Sequence, residues 1–392
     1  MQVMVRGVAQ SGVRLANERT VLGLIAIGPG SSNADVARLS GLGAQTTSRI
    51  VSELEERGLI LRGQVLRGRR GQPATPLFIN PNGAFCIGVE IGWRHFEVVL
   101  VDMAGVSVRP TRQYFDQPDA DALLQQVAAE VARLRESLTN EQREHLVGIG
   151  LSSPTSIEKN LQPAGVTDQP PQAWDRLELK SRLQAATGLP VEWYNDGHAA
   201  TWAELIAQPH PRMRSFAHFQ IGIAVGGGLV LDGGFGEGGC RPAELGAIMI
   251  CDGLVAPSFV HYLASLGSFM RAAEKAGLPK PSGAPADWDW AALEPVVEPW
   301  TNCAGQALAR GIMSVSAVID IEAAVIDGPL PDAIADRLLE RVNHHLQQLP
   351  TITQRPPPAV KGRVGSVGAS VGAAQLLLFD RFFSRAWNLM AT

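Results

Sequence analysis

Apolar residues recur along this chain with two different spacings, and the change lies near residue 80. In the first part, apolar positions three and four residues apart predict three helices, at 17–27, 32–40 and 43–58. Two short apolar strands, 59–62 and 77–80, then flank a segment rich in arginine and glycine. Three helices followed by a β-hairpin are typical of a winged helix-turn-helix.

The polar residues of this part indicate what it binds. Ser32 and Asp35 have capping-box spacing at the start of the second helix, and Gly41 supplies the turn before the third. The outward side of the third helix carries groups suited to major-groove base edges and phosphates: Gln45, Thr46, Thr47, Ser48 and Arg49. The tip of the hairpin carries arginines that fit a narrow minor groove: Arg67, Arg69 and Arg70. A generic three-helix bundle is the alternative, and the hairpin argues against it.

From residue 81 onward, apolar runs alternate with helical periodicity. The predicted strands are 86–91, 97–101, 146–151, 191–194, 216–222, 228–231 and 323–326, and the predicted helices include 119–138, 177–186, 197–207 and 331–348. This alternation is typical of α/β architecture, in which helices cover the sheets. A chain of 392 residues is too long for one hydrophobic core, so two or three domains are expected.

Charge is distributed unevenly between the two parts. Residues 1–80 contain ten arginines, no lysine and five acidic residues, whereas the whole chain has a net charge of −4. A basic end on an acidic body is a hint of nucleic-acid binding. The four cysteines form no metal-ligand pattern, and no apolar run is long enough to span a membrane. These features predict a cytoplasmic protein.

Four segments in this order carry a resemblance to a known family: "GRRGQPATPLFINPNGAFCIGVEIG", "NDGHAATWAEL", "IGIAVGGGLVLDG" and "AELGA". Together with the N-terminal part, they resemble the ROK (repressor, open reading frame, kinase) family, and more narrowly its transcriptional repressors. The resemblance implies a winged helix-turn-helix followed by a two-lobed actin-like ATPase (sugar kinase) fold with a ligand cleft. The expected domains are 1–80, 81–200 and 201–392, with a C-terminal helix that returns to the first lobe.

The phosphate-binding elements of family kinases are altered in this sequence. Glu90 stands where the resemblance places an aspartate, and Trp93 would crowd a turn that needs bare backbone N–H groups. The second element is "IGIAVGGG" in place of a Gly-Thr-Gly motif. Ala247 replaces the histidine that precedes the family's zinc loop, in which only Cys251 remains. We therefore expect neither ATP-dependent catalysis, nor a cofactor, nor a structural zinc ion.

The sugar side of the site is better preserved. The resemblance assigns sugar contacts to Asn195, Asp196 and Glu244, and Asp196 stands at the position of the kinase's catalytic base, here vestigial. For Asp196, capping of a helix is the alternative role.

The sequence thus predicts a transcriptional regulator, acting as a repressor, that binds double-stranded operator DNA as a homodimer or homotetramer and responds to a sugar or sugar phosphate. Two alternatives stay open: an active sugar kinase with an attached DNA-binding domain, and a ligand-free dimerisation scaffold.

Overall fold

The computed structural model describes residues 10–65, 75–115, 119–155, 176–233, 243–251, 258–351 and 355–383. The predicted wing residues Arg67, Arg69 and Arg70 lie outside the described residues. Among the helices in these ranges, none is both long and apolar enough to cross a lipid bilayer.

Three helices and a two-stranded antiparallel sheet form the N-terminal part. They are α1 (Gln10–Ile27), α2 (Asn33–Ser40), α3 (Ala44–Glu56), β1 (Ile60–Arg62) and β2 (Leu77–Ile79). The predicted capping box is confirmed, because Ser32 and Asp35 each accept a hydrogen bond from the other's backbone N–H. Gly41 ends α2 at a φ of 69°, a left-handed conformation that glycine adopts without steric cost. The winged helix-turn-helix prediction is confirmed by this order of elements.

The first large sheet has five strands in the order β5-β4-β3-β6-β7. They are β3 (Phe85–Ile91), β4 (His95–Asp102), β5 (Ser107–Tyr114), β6 (Leu146–Ser153) and β7 (Val191–Asn195). β6 is parallel to both β3 and β7, whereas β3, β4 and β5 pair antiparallel. Helices α4 (Ala120–Glu136) and α6 (Arg176–Thr187) cover one face, and the short α5 (Asn140–Glu144) precedes β6.

The second large sheet has four strands in the order β13-β12-β8-β9. The strands of this half are β8 (Phe216–Ile221), β9 (Val225–Val230), a hairpin of β10 (Met249–Ile250) and β11 (Ser258–Phe259), β12 (Ala323–Asp327) and β13 (Ala359–Lys361). The helices are α7 (Asp196–Ala207), α8 (Val260–Ala264), α9 (Leu266–Lys275), α10 (Trp290–Ser316), α11 (Asp332–Gln348) and α12 (Gly368–Phe382). One sheet face packs on α9, α10 and α11, and the other on α7 and α12.

Helix α12 packs at backbone distance against its neighbours. A methyl group on Gly372 would lie only 1.8 Å from the carbonyl oxygen of Ala199 in α7. On the other side, a methyl group on Gly150 of β6 would lie 2.1 Å from the carbonyl oxygen of Ala373. Because these contacts leave no room for a side chain, α12 is fixed between α7 and the five-stranded sheet.

The winged helix shares a core with the body. One cluster of buried residues includes Val21 of α1 and Ile50 of α3, but also Val99 and Val101 of β4 and Leu378 of α12. Alternation along the strands produces this arrangement, because successive side chains point to opposite faces of a sheet. The helices of the winged helix-turn-helix therefore belong to the same packed core as the five-stranded sheet and α12.

A buried carboxyl group lies in α7 near the connection that leads to α12. Glu204 has 1% of its surface exposed and accepts a hydrogen bond from the backbone N–H of Arg363 at 2.8 Å. Burial raises the pKa of the Glu204 carboxyl from 4.5 to about 7, although the hydrogen bond from Arg363 partly opposes this.

Replacing Glu204 by glutamine is expected to stabilise the chain at pH 8 and to change its stability little at pH 4.5. The folded-state pKa lies above the unfolded value, so the native carboxyl loses stability as the pH rises from 4.5 to 7. At 1.36 kcal/mol per pKa unit, the gain for the glutamine variant at pH 8 is on the order of 3 kcal/mol. Urea unfolding at both pH values measures it, with Glu136→Gln on the exposed surface of α4 as control. Equal effects at the two pH values would contradict this account.

Candidate functional site

The exposed face of α3 is the first candidate surface. Gln45, Ser48 and Arg49 are exposed, and Thr46 is half-buried. Thr47 is a correction to the prediction, because its side chain is fully buried and its hydroxyl donates to the carbonyl of Gly43 at 3.3 Å. The helical repeat places Thr47 on the same side as the buried Val51, so it faces the core and not solvent.

Arg49 belongs to a network of ion pairs on this surface. Its guanidinium donates to Glu53 at 2.7 Å, and the other carboxylate oxygen of Glu53 accepts from Arg14 of α1 at 2.9 Å. Glu18 of α1 in turn pairs with Arg57, just after α3, at 2.9 Å. The network joins α1 to α3, so the approach of a phosphate to Arg49 would have to compete with Glu53.

A cleft between the two sheets is the second candidate site. It encloses a cavity of about 220 Å³. The carboxyl ends of β3 and β7 contribute Glu90 and Asn195, and Asp196 begins α7 beside them. The opposite wall includes Glu244 and His261. All three predicted ligand residues therefore line one cavity, although they are up to 49 positions apart in the sequence.

Asn195, not Asp196, caps α7. The side-chain oxygen of Asn195 accepts from the backbone N–H of His198 at 2.9 Å, and its amide nitrogen donates to Thr155 at 2.9 Å. The same amide donates to Oδ1 of Asp196 at 3.1 Å. Asn195 is therefore engaged on both ends of its amide and orients the Asp196 carboxylate toward the cleft.

The Asp196 carboxylate is chemically the most unusual group in the cleft. Burial, together with the negative charge of Glu90, raises the pKa of Asp196 from 3.8 to about 6. Its Oδ1 also accepts from the backbone N–H of Gly197 at 2.8 Å. Near neutral pH it is an ionised acceptor with a high proton affinity, a form suited to binding a ligand hydroxyl.

An ionic cluster fills the end of the cleft where the resemblance places phosphate. His95 Nε2 lies 3.3 Å from Glu90 Oε1, and Arg112 Nη2 lies 3.9 Å from Glu90 Oε2. Arg112 also donates from Nε to Glu97 at 2.8 Å, and the Glu97 carboxylate accepts from the hydroxyl of Ser370 in α12. Burial opposes ionisation of Glu90, but His95 and Arg112 outweigh it and hold the pKa of Glu90 below its ordinary value. Burial raises the pKa of Glu97 despite Arg112. The guanidinium is thus already paired with protein carboxylates.

The two turns that would hold phosphates use backbone groups for their own structure. At the β3–β4 turn, the N–H of Gly92 donates to the carbonyl of His95 at 2.9 Å. At the β8–β9 turn, the N–H of Gly222 donates to the carbonyl of Ala224 at 2.9 Å. Trp93 and Ile223 also line the cleft. In each turn, one backbone N–H group is therefore already bonded within the turn.

The zinc-loop region likewise offers no ligand set within the described part of the chain. No group of three or more His, Cys, Asp or Glu residues there could hold a metal ion. Ala247 lies in a short 3₁₀ turn, and Cys251 is exposed. His261 instead packs beside Gly246, and its Nδ1 accepts from the backbone N–H of Val225 at 3.0 Å. Burial lowers the pKa of His261 to about 4, so it is neutral at physiological pH.

Sequence reasoning missed His95, Arg112 and His261 as cleft residues. Arg112 lies directly across from Glu97 in the β4–β5 register, where opposite charges commonly pair. That signal depends on knowing that 107–114 is a strand. His261 carried no signal at all, because its position in the cleft depends on the path of the chain after the β10–β11 hairpin.

Comparison with protein families gives two matches. The model described as ROK family matches residues 86–256, and the model described as winged helix-turn-helix DNA-binding matches residues 15–60. Among curated proteins, the uncharacterized protein y4fQ of Sinorhizobium fredii is 28% identical over 381 residues, which cover 94% of this chain and 92% of that protein. The xylose repressor of Bacillus spizizenii is 24% identical over 230 residues, which span 57% of each chain.

Solved structures share the fold over most of the chain. A ROK family transcriptional regulator, described as a homolog of the E. coli MLC protein, matches with a TM-score of 0.69 at 22% identity and covers 97% of this chain and 100% of that one. A ROK family glucokinase from Streptomyces griseus, in complex with glucose and AMPPNP, matches with a TM-score of 0.57 at 19% identity. It covers 75% of this chain and 99% of its own. The predicted fold class is therefore confirmed.

Proposed function

Because the chain carries a ROK family domain behind a winged helix-turn-helix, we propose that it is a sugar-responsive transcriptional repressor. Its third helix binds the major groove of operator DNA, and its cleft binds a sugar through Asp196 and Glu244, with Asn195 positioning Asp196. The observation that carries the proposal is that the exposed polar face of α3 and the cleft belong to one packed unit, through the core shared by α3, β4 and α12. Binding at the cleft can thus alter the DNA-binding helices.

Two copies of the chain would act together on DNA in the cytoplasm. Paired winged helices read half-sites about one helical turn apart, so a dimer binds a pseudo-palindromic operator. The basic residues of 1–80, which include the predicted wing residues Arg67, Arg69 and Arg70, would neutralise phosphates on each half-site.

The test combines DNA selection with a sugar screen. Duplexes enriched from a random pool by the full chain are expected to share an inverted repeat and to bind with an affinity that falls steeply with salt. Neutral sugars and their phosphates, beginning with D-xylose because a matched relative is named a xylose repressor, are then screened by thermal shift. A sugar that raises the melting temperature should also change duplex affinity. Failure to enrich any duplex at low salt would overturn the proposal.

Sugar phosphorylation is the second candidate function, and Asp196 is the observation that favours it. A carboxylate with a pKa of about 6 at the base position could accept a proton from a sugar hydroxyl. The end of the cleft expected to hold phosphate argues against phosphorylation. Arg112 there is paired with Glu97, and the β3–β4 and β8–β9 turns each use a backbone N–H in a hydrogen bond within the turn.

We therefore expect no ADP above background when the chain is incubated with ATP, magnesium and the sugar that gives the largest thermal shift. The physical reason is that, among the described residues, Arg112 is already paired with Glu90 and Glu97 and would have to leave them to stabilise a transferring phosphoryl group. A coupled ADP assay measures it, with a ROK glucokinase as positive control. Turnover that is lost in Asp196→Asn would establish the kinase function instead.

A further inference from the structure

Asp380, near the end of α12, is contacted from two functional regions at once. Its carboxylate accepts a hydrogen bond from the hydroxyl of Tyr194 at 3.2 Å, and Tyr194 immediately precedes Asn195, the last residue of β7, and Asp196, the first of α7. Its backbone carbonyl accepts from the guanidinium of Arg19 in α1 at 3.1 Å. The same guanidinium nitrogen lies 3.2 Å from the carbonyl oxygen of Arg381.

Both contacts have a clear physical role. The last carbonyls of a helix have no partner within the helix, and a cation near them is favoured by the helix dipole. Arg19 therefore caps the C-terminus of α12 from within the DNA-binding part. Strand alternation sends Tyr194 to the sheet face covered by α12, while Asn195 and Asp196 reach the cleft.

The other end of α12 is tied to the cleft as well. Arg112 donates to the carbonyl of Ser366, just before the helix, and Ser370 in its first turn donates to Glu97. The backbone contact between Gly372 and Ala199 fixes α12 against α7, the helix that Asp196 begins. A displacement at the start of α7 is therefore passed to α12 with little loss, because closely packed backbones cannot yield independently.

We propose that Tyr194, Asp380 and Arg19 form the link through which the cleft acts on the DNA-binding helices. This rests on the proposed function for its purpose, but the link itself is a property of the ligand-free chain. A ligand that draws Asn195 and Asp196 toward the cavity moves Tyr194, the residue before them, and so alters its bond to Asp380. Arg19 transmits the change to α1, which the Arg14–Glu53 ion pair joins to α3. The coupled element is thus a hydrogen-bonded helix end with contacts on both sides, which is a physical and not a statistical basis for coupling.

Hydrogen–deuterium exchange of the full chain, without DNA or sugar, tests the link in both directions. Tyr194→Phe removes one hydroxyl and keeps the ring, and it should speed exchange of the α1 amides about three- to tenfold, the effect of losing one hydrogen bond. Reciprocity requires that Arg19→Gln speed exchange in residues 191–200 as well. The matched controls are Tyr262→Phe, on an exposed side chain of α8, and Arg38→Gln, on the exposed surface of α2. Tyr262→Phe should leave exchange in α1 unchanged, and Arg38→Gln should leave exchange in residues 191–200 unchanged.

The proposal is overturned if Tyr194→Phe changes exchange only within residues 376–383 and leaves α1 unaltered. It is equally overturned if Arg19→Gln leaves residues 191–200 unaltered, or if the controls produce the same changes as the test variants. The two variants are conservative and report independently, so poor folding of one leaves the other decisive. Since the measurement needs neither operator nor sugar, its result is separate from that of the DNA selection and sugar screen.

Discussion

Replacing Asp196 by asparagine is expected to weaken sugar binding about 10- to 100-fold at pH 7.5 and to abolish its dependence on pH. A hydrogen bond from a ligand hydroxyl to a charged acceptor contributes about 1.5–3 kcal/mol, and the neutral amide provides less. Because the pKa of Asp196 is about 6 and the ionised form accepts the bonds, the affinity of the parent chain should fall as the pH drops below 6. Above pH 7 it should level off. Isothermal titration at pH 5, 6, 7 and 8, with the sugar found by thermal shift, measures both effects.

The matched control is Asp232→Asn. Asp232 is an exposed carboxylate that lies 3.8 Å from Arg214 and does not line the cleft. The Asp232→Asn variant should bind the sugar with the same affinity and the same pH dependence as the parent chain. Unchanged affinity in Asp196→Asn would show that the Asp196 carboxylate has no part in binding that sugar.

Replacing Arg49 by alanine is expected to lower operator affinity about tenfold and to reduce the slope of log affinity against log salt by about 1 unit. Each phosphate neutralised by a side chain releases roughly 0.9 counterion, so losing one contact lowers the slope by that amount. Arg49 is exposed on α3 and bonds to Glu53 at 2.7 Å in the free chain. Such a surface ion pair contributes little to stability, so Arg49 can leave Glu53 to bind a phosphate. Fluorescence anisotropy with a selected duplex, from 50 to 200 mM salt, would give both quantities.

Glu53→Gln provides the opposite change at the same place. It releases both Arg49 and Arg14 from a competing carboxylate, so operator affinity should rise. Arg133→Ala serves as the control for charge, since Arg133 pairs with Glu130 on α4 of the body. If Arg49→Ala and Arg133→Ala lower affinity equally, the effect of Arg49 is only one of net charge, and α3 does not carry the contact.

The sequence was sufficient to predict those elements whose conformation depends on residues close by in the chain. The capping box of α2 and the left-handed Gly41 depend on neighbours within a few residues, and both are as predicted. Apolar runs such as that of β3, in which Glu90 is the one charged residue, are equally clear, because a strand buried on both faces is largely apolar. The first helix begins at Gln10, seven positions before the predicted start, and Arg14 in this extension pairs with Glu53 of α3.

Elements whose stability comes from distant partners were not predicted. β5 is largely exposed and contains Pro110, so nothing in its sequence marks a strand, and its pairing with β4 defines it. α10 contains Pro295 and Pro299, which argue against a helix locally, yet buried residues along its length fix it against α9 and α11. The error at Thr47 has the same origin, because a small threonine can pack inward as easily as a valine.

The candidate site shows the same division. The family motifs pointed to Asn195, Asp196 and Glu244, and the structure brings all three to one cavity, while their contact with sugar stays a prediction. The ionic cluster around Arg112 could not be foreseen, because it needs the register of an unpredicted strand. Its pairing with Glu90 and Glu97 decides how the phosphate end of the cleft is filled.

The core shared by α1, α3, β4 and α12 has a consequence for variants in which the first eighty residues are removed or exchanged. Cys86, Val99 and Val101 are completely buried and belong to the same cluster as Val21 of α1 and Ile50 of α3. A truncated chain beginning near residue 81 would expose part of this apolar cluster to water and would tend to aggregate. A winged helix-turn-helix taken from a related protein would fit only if its buried side chains matched the shape of this core. Substitutions on the exposed face of α3 leave this core unchanged, whereas exchange of the whole winged helix-turn-helix alters it.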